Sequence, residues 1–240
     1  MKIGVLASGS GTNLQAIIDA CQTGCIPNSK VEIVISNKKE AFALERAKSN
    51  GISSLYLEAP DFVKYKRGMD IKDIMNDSLR MEYDYEIVRE LKKKNIDILC
   101  LAGYMLFVTS KILEEFTTIN IHPAILPSFK GLHGIRDALN YGVKVIGCTT
   151  HFVDDKEDHG PVILQATTPI LPNEALDDLS KRNLKREYLI YPETLRLYKK
   201  KLININGRNV DVTWDNKHFK FQQRLLELWR TDIDDYYNSR

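Results

Sequence analysis

The sequence predicts an α/β fold: a doubly wound, mostly parallel sheet with an antiparallel addition towards the C-terminus. Three observations carry that prediction. Through the first half, short β-branched runs alternate with helical apolar patterns, as in strand–helix–strand units. A glycine-rich turn, SGSGTN (8–13), joins the first run to the first helical pattern. After residue 143 two β-rich runs follow one another with only a charged loop between them.

The runs KIGVLA (2–7) and VEIVIS (31–36) are bounded by Gly, Ser and Asn and read as strands. Between them Leu14, Ile17, Ile18 and Cys21 recur at i, i+3, i+4 and i+7, one face of a helix. A helix over 40–49 and a short strand over 52–57 come next. A longer helix over 78–94 sets Tyr83, Ile87, Val88 and Leu91 on one face, and IDILCLA (96–102) and TINIH (118–122) are the following strands. Beyond them the pattern predicts a helix over 132–141, strands VKVIGCTTHFV (143–153) and PVILQATTPI (161–170), and an amphipathic helix over 174–200. In LININGRNVDVTW, Asn206-Gly207 between strand-like runs signals a hairpin, and a terminal helix follows. The expected organisation is a domain over 1–200 with a hairpin/helix extension, 201–240, packed on it.

A formal charge of only +2 leaves no electrostatic footprint for nucleic acid or an anionic membrane. Lys92–Lys94 and Lys199–Lys201 fall near the ends of predicted helices, where cations offset the negative end of the dipole. No apolar run approaches the roughly 20 residues that span a bilayer. The N-terminus, MKIGVLASGS, enters a strand directly without a cleavable signal, so the expected compartment is the cytoplasm. Cys100 and Cys148 lie in strand-like contexts that suit buried, reduced thiols. Cys21 and Cys25 stand four apart with no histidine or further cysteine nearby, so no metal is expected.

In SGSGTN the glycines allow a sharp turn, and the unpartnered N–H groups of the following helix start make an anion site. Gly9 and Gly11 are present, but Leu14 takes the third position of a dinucleotide fingerprint and Ser36-Asn37-Lys38 offers no acid for a ribose. One phosphate of a small substrate is the preferred reading; a bare strand–helix turn is the alternative.

The stretch NIHPAILP (120–127) places Asn120 and His122 two apart, and hence on one face of a strand. Pro123 cannot donate to a sheet ladder, so the histidine stands at the strand's C-terminal edge, where ligands bind in open α/β sheets. The acid-rich loop DDKEDHGP (154–161) could bring Asp158 beside it, or could be a solvated turn. There is no GxSxG, CxxC or HExxH. Asn, His and Asp without a nucleophile fit transfer of an acyl group to an amine that the substrate itself brings. Asn120 would stabilise the oxyanion, His122 would manage protons, and Asp158 would orient or charge the imidazole.

Four blocks, VLASGSGTNLQAIIDA, LAGYM, NIHPAILPSFKGLHGIRDAL and GCTTHFVDDKEDHGPVILQ, give residues 1–198 a resemblance to the phosphoribosylglycinamide formyltransferases. The resemblance implies a formyltransferase-like fold and formyl transfer from 10-formyltetrahydrofolate to glycinamide ribonucleotide in purine synthesis, with no metal. It implies small-molecule partners only and a monomer or homodimer. Asn120, His122 and Asp158 match the family's catalytic set. Gly11, Thr12 and Asn13 match its phosphate loop, and Glu187 matches the helix glutamate that contacts the ribonucleotide. Met105, Leu106, Phe107 and Val108 match the segment lining the pterin pocket, Asp154, Asp155, Lys156, Glu157 and Asp158 the folate loop, and Arg80 an arginine near the folate tail. Leu106 stands where the family usually has Arg, His159 where it has Gly, and 61–79 reads as an insertion. Two other enzymes with this fold are alternatives. The deformylase that passes formyl to water would bring an N-terminal regulatory domain, and methionyl-tRNA formyltransferase a longer basic C-terminal domain. A module that binds folate or nucleotide without catalysis is the third alternative.

Overall fold

The computed structural model describes residues 1–59 and 78–238. Its elements run β1 (Lys2–Leu6), α1 (Thr12–Gln22), β2 (Lys30–Ser36), α2 (Phe42–Ser49), β3 (Ser53–Tyr56), α3 (Ser78–Lys93) and β4 (Ile98–Leu101). Then come α4 (Ser110–Leu113), β5 (Thr118–His122), α5 (Gly134–Tyr141), β6 (Val145–Phe152), β7 (Val162–Pro169), α6 (Leu176–Lys199), β8 (Ile203–Asn206), β9 (Asn209–Val212) and α7 (Asn216–Asn238). The stretch read as an insertion lies, up to residue 77, outside the described residues.

Seven strands form one sheet in the order β3-β2-β1-β4-β5-β6-β7. The pairs β1–β2, β1–β4, β2–β3 and β4–β5 are parallel, and β6–β7 is antiparallel. The fold is therefore α/β with a mostly parallel sheet and an antiparallel end. Strand order reverses at β1/β4, the switch point that opens a crevice at the carboxyl ends of such strands. The chain leaves that point through residues 7–11 after β1 and 102–109 after β4.

Contacts group the chain into two compact units, Met1–Asn120 with Phe152–Gly160, and Ile121–His151 with Pro161–Arg240. In the first, the predicted face of α3 (Tyr83, Ile87, Val88, Leu91) packs on Leu6, Ile33, Ile35, Leu99 and Leu101. Each such aliphatic side chain contributes about 1.5–3 kcal/mol on leaving water. A Cβ on Gly4 would stand 2.8 Å from Leu91, which is why the strand carries no side chain where α3 crosses it. Cys100 and Cys148 are buried, and all four cysteines are free.

In the second unit, Leu179 of α6 packs with Ala138 and Ile146, flanked by Phe129, Ile135 and Leu139. The β8–β9 hairpin and α7 also belong to this unit. The hairpin forms, but one residue later than Asn206-Gly207 suggested: Asn206 pairs with Asn209, and Gly207-Arg208 makes the turn. Gly207 stands at φ 59° in the first central position, where a primed turn needs positive φ. The single turn α4 was not foreseen, because four residues are too few to show a period.

Candidate active site

In the first unit the turn after β1 is built around Gly11. It caps α1 at φ 69°, and a Cβ there would lie 2.8 Å from the Ala43 backbone. No side chain caps α1 and its first turn holds no acid, so its amino end keeps its positive field. Asn13 is buried and Thr12 half-buried. Arg46 of α2, which the sequence did not point to, donates from Nε to the Ser10 carbonyl at 2.8 Å and adds a cation beside the turn. Its contribution is tertiary, from a helix whose pattern carried no such signal.

The segment after β4 exposes Met105 by 48% and buries Leu106 and Val108 in the core described above. Leu106, in place of the family's arginine, is thus a packing residue. The guanidinium of Arg80 is 1% exposed. Its Nη1 donates to Asp84 at 2.6 Å, and its Nη2 to the Phe107 carbonyl. Burial pushes the Asp84 carboxyl pKa up, against the opposing pull of Arg80 and of the Thr109 N–H.

The loop 154–160 belongs to the same unit. His159, where a glycine was expected, faces Asp154 with Nδ1 2.7 Å from Oδ2, and Asp154 Oδ1 accepts the Lys156 N–H at 3.1 Å. Asp158 takes a left-handed backbone, φ 43°, which the short polar side chain of Asp tolerates. A Cβ on Gly160 would meet the Phe152 carbonyl oxygen at 1.8 Å, so the loop returns to β7 through a residue that has to be glycine.

Asn120 and His122 occupy β5 as the alternation predicts, and the alternating Ile119 and Ile121 are buried. In the second unit His122 is 4% exposed and its Nε2 lies 2.9 Å from the Phe129 carbonyl. A carbonyl only accepts, so Nε2 carries a proton, and in the neutral ring Nδ1 is the basic nitrogen. Phe129 holds that carbonyl from a left-handed backbone, φ 52°, a strained conformation for a bulky residue. Glu187 of α6 is buried and accepts from Asn183 Nδ2 at 3.2 Å, while Asn183 Oδ1 accepts from Thr168 at 3.0 Å. No local pattern signals that relay, whose partners lie on separate elements.

A family model described as formyl transferase matches residues 1–195. The chain belongs to the formyl transferase family. Among formyl transferases of known activity, phosphoribosylglycinamide formyltransferase of Escherichia coli strain K12 is 41% identical over 194 residues, 80% of this chain and 84% of that protein. The trifunctional purine biosynthetic protein adenosine-3 of Drosophila melanogaster is 39% identical over 199 residues. This chain spans only 14% of that protein's length, and likewise 14% of the Chironomus tentans protein of the same name. The crystal structure of glycinamide ribonucleotide transformylase 1 from Symbiobacterium toebii shares 41% identity at a TM-score of 0.79, covering 89% of this chain and 94% of that one. Among the described residues no cluster of His, Cys, Asp or Glu could hold a metal. No described helix is long and apolar enough to cross a membrane.

Proposed function

We infer that this chain transfers the formyl group of 10-formyltetrahydrofolate to the amine of glycinamide ribonucleotide, a step of purine synthesis. The observation that carries the reading is its 41% identity to phosphoribosylglycinamide formyltransferase of Escherichia coli across 84% of that enzyme's length.

The substrate amine attacks the formyl carbon directly. As the new C–N bond forms, the carbonyl oxygen becomes an oxyanion, to which the Asn120 carboxamide donates a hydrogen bond. The C–N10 bond then breaks, N10 receives a proton, and the former amine loses one. His122 serves as the acid and base for these transfers. Asp158 serves to orient the imidazole for these transfers.

Gly11, Thr12 and Asn13 take the substrate phosphate at the amino end of α1, and Glu187 accepts from a ribose hydroxyl. Folate is held by Met105–Val108 and Asp154–Asp158, with Arg80 acting on the same site. The fit is chemical: main-chain carbonyls and the carboxylates of a partly exposed loop are the acceptors that a pterin's amino and ring N–H groups require. The protein acts on small molecules, works in the cytoplasm and is a monomer or homodimer.

The deciding measurement is spectrophotometric consumption of 10-formyl folate by purified protein with and without glycinamide ribonucleotide. Turnover that requires the ribonucleotide is the expected result. Equal turnover without it would replace the reading with that of a deformylase.

A further inference from the structure

The helix α7 docks within the second unit through one side. Its buried residues are His218 and Asp232: His218 Nδ1 lies 2.7 Å from Glu193 Oε1, and Asp232 pairs with Arg186 of α6. On the same side Trp229 Nε1 donates to Thr167 Oγ1 at 3.1 Å. Away from it, Phe219, Leu226 and Ile233 recur at intervals of seven, and Tyr237 follows four residues on, so the four share one stripe. Phe219 is 54% exposed, Leu226 67% and Tyr237 71%. The stripe therefore runs along nearly the whole helix without being what fastens it.

The charges of α7 run against its own dipole. The first turn holds no acid and Lys217, with Lys220 just after it; the last holds no base, and Asp234 and Asp235 stand at that end. An isolated helix favours the reverse, acids at the amino end and bases at the carboxyl end. Lys220, Glu227, Arg230 and Asp234 flank the stripe at helical spacing, and among the described residues none of them forms an ion pair. Their signs read plus, minus, plus, minus along the chain. Read backwards the order is inverted, so this row of charges is complementary to its own reverse.

We propose that α7 is the contact of an isologous dimer, in which a second copy of this chain lays its own α7 antiparallel across the stripe. With the two-fold axis opposite Leu228, Phe219 faces the partner's Tyr237, and Leu226 faces the aliphatic stem of the partner's Arg230. Lys220 then approaches the partner's Asp234, and Glu227 the partner's Arg230, each pair occurring twice by symmetry. The acidic carboxyl end of one helix also lies over the basic amino end of the other, which relieves the conflict that each helix carries alone. A parallel copy would set Lys220 against Lys220 and Asp234 against Asp234, so the pattern selects one orientation.

Sedimentation velocity across a concentration series measures the dimerisation constant, with circular dichroism as the control on folding. The parent protein should show a reversible monomer–dimer equilibrium. Leu226→Glu, at an exposed position, should weaken dimerisation by about tenfold or more with helix content kept. Lys220→Asp should weaken it similarly, through like charges. Combining Lys220→Asp with Asp234→Lys in one chain restores the antiparallel match, and should return the constant to within about threefold of the parent's. If Leu226→Glu does not fold, the charge exchange carries the test alone. A parent that stays monomeric throughout the series would overturn the proposal. So would a dimer indifferent to all these variants, which must use another surface, or a double variant as weak as Lys220→Asp, which rules out the antiparallel pairing. A monomeric parent that instead cosediments with phosphatidylglycerol vesicles would give the stripe to a membrane surface and end the dimer reading.

Discussion

His122 illustrates how one side chain takes its chemistry from a neighbour that the sequence does not mark. The alternation of TINIH placed it on the face of Asn120, and the proline after it placed it at the strand edge; both readings describe the structure. What fixes its proton is the Phe129 carbonyl, seven residues on and held by a left-handed backbone that nothing in the local pattern announces. Replacing His122 by Ala should lower kcat by roughly 10²–10⁴, the usual worth of a positioned acid–base group, with little change in KM for either substrate. Asn120→Ala should cost about 10²–10³ in kcat, the range for one lost oxyanion donor. Both are read from initial rates beside a thermal melt. A fall in KM-limited rate alone, with kcat intact, would move these residues from chemistry to binding.

Strands and helices that bury one face were legible because burial imposes a period, as in α3, whose Tyr83, Ile87, Val88 and Leu91 were placed correctly from spacing alone. The turns were less so. Asn206-Gly207 announced a hairpin but not which residue would sit at its centre, because the register follows from pairing along both strands. The partners of the glycine turn and of the segment after β4 were illegible for a further reason. Arg46 with Ser10, Ser8 with Met105, and Asp84 with Thr109 are separated by 25 to 97 residues, and no local period encodes such pairs. Gly11 itself was visible, and the structure gives its reason: positive φ and a 2.8 Å approach to the Ala43 backbone. Gly11→Ala should therefore push α1 and α2 apart, with strain of about 1–2 kcal/mol from the backbone alone. The expected outcome is a lower Tm and a raised KM for ribonucleotide at nearly unchanged folate affinity. Parent-like values of both would show that the turn can relax without moving its N–H groups.

Within the second unit, the hairpin and α7 are joined to α6 by charge as well as by packing. Arg196 of α6 is buried and makes paired bonds to Glu193, at 2.7 and 2.8 Å, and to Asp215, at 2.7 and 2.9 Å. Glu193 also meets His218 Nδ1 at 2.7 Å, and Asp215 accepts the His218 N–H at 2.8 Å at the start of α7. Hydrogen bonding from Arg196 is the main cause that lowers the Asp215 carboxyl from 3.8 to about 2. A carboxyl whose pKa is depressed on folding contributes stability that is present in full above its unfolded value. That contribution is lost as pH falls through the folded value. The fastening of α7 should therefore hold at neutral pH and weaken between about pH 4 and pH 2. Trp214, whose ring lies 5.1 Å from that of His218, provides a fluorescence signal for the change. Asp215→Asn should flatten the acid limb of that signal while lowering stability at pH 7; an acid limb that persists unchanged in the variant would assign the transition to other carboxylates. Arg196→Met tests the same junction from its centre. Removing the guanidinium leaves Glu193 buried beside a histidine, and breaking a buried pair from one side costs about 3–5 kcal/mol. Hydrogen exchange along α7 should then rise at neutral pH, and protection equal to the parent's would mean that apolar packing alone holds the helix.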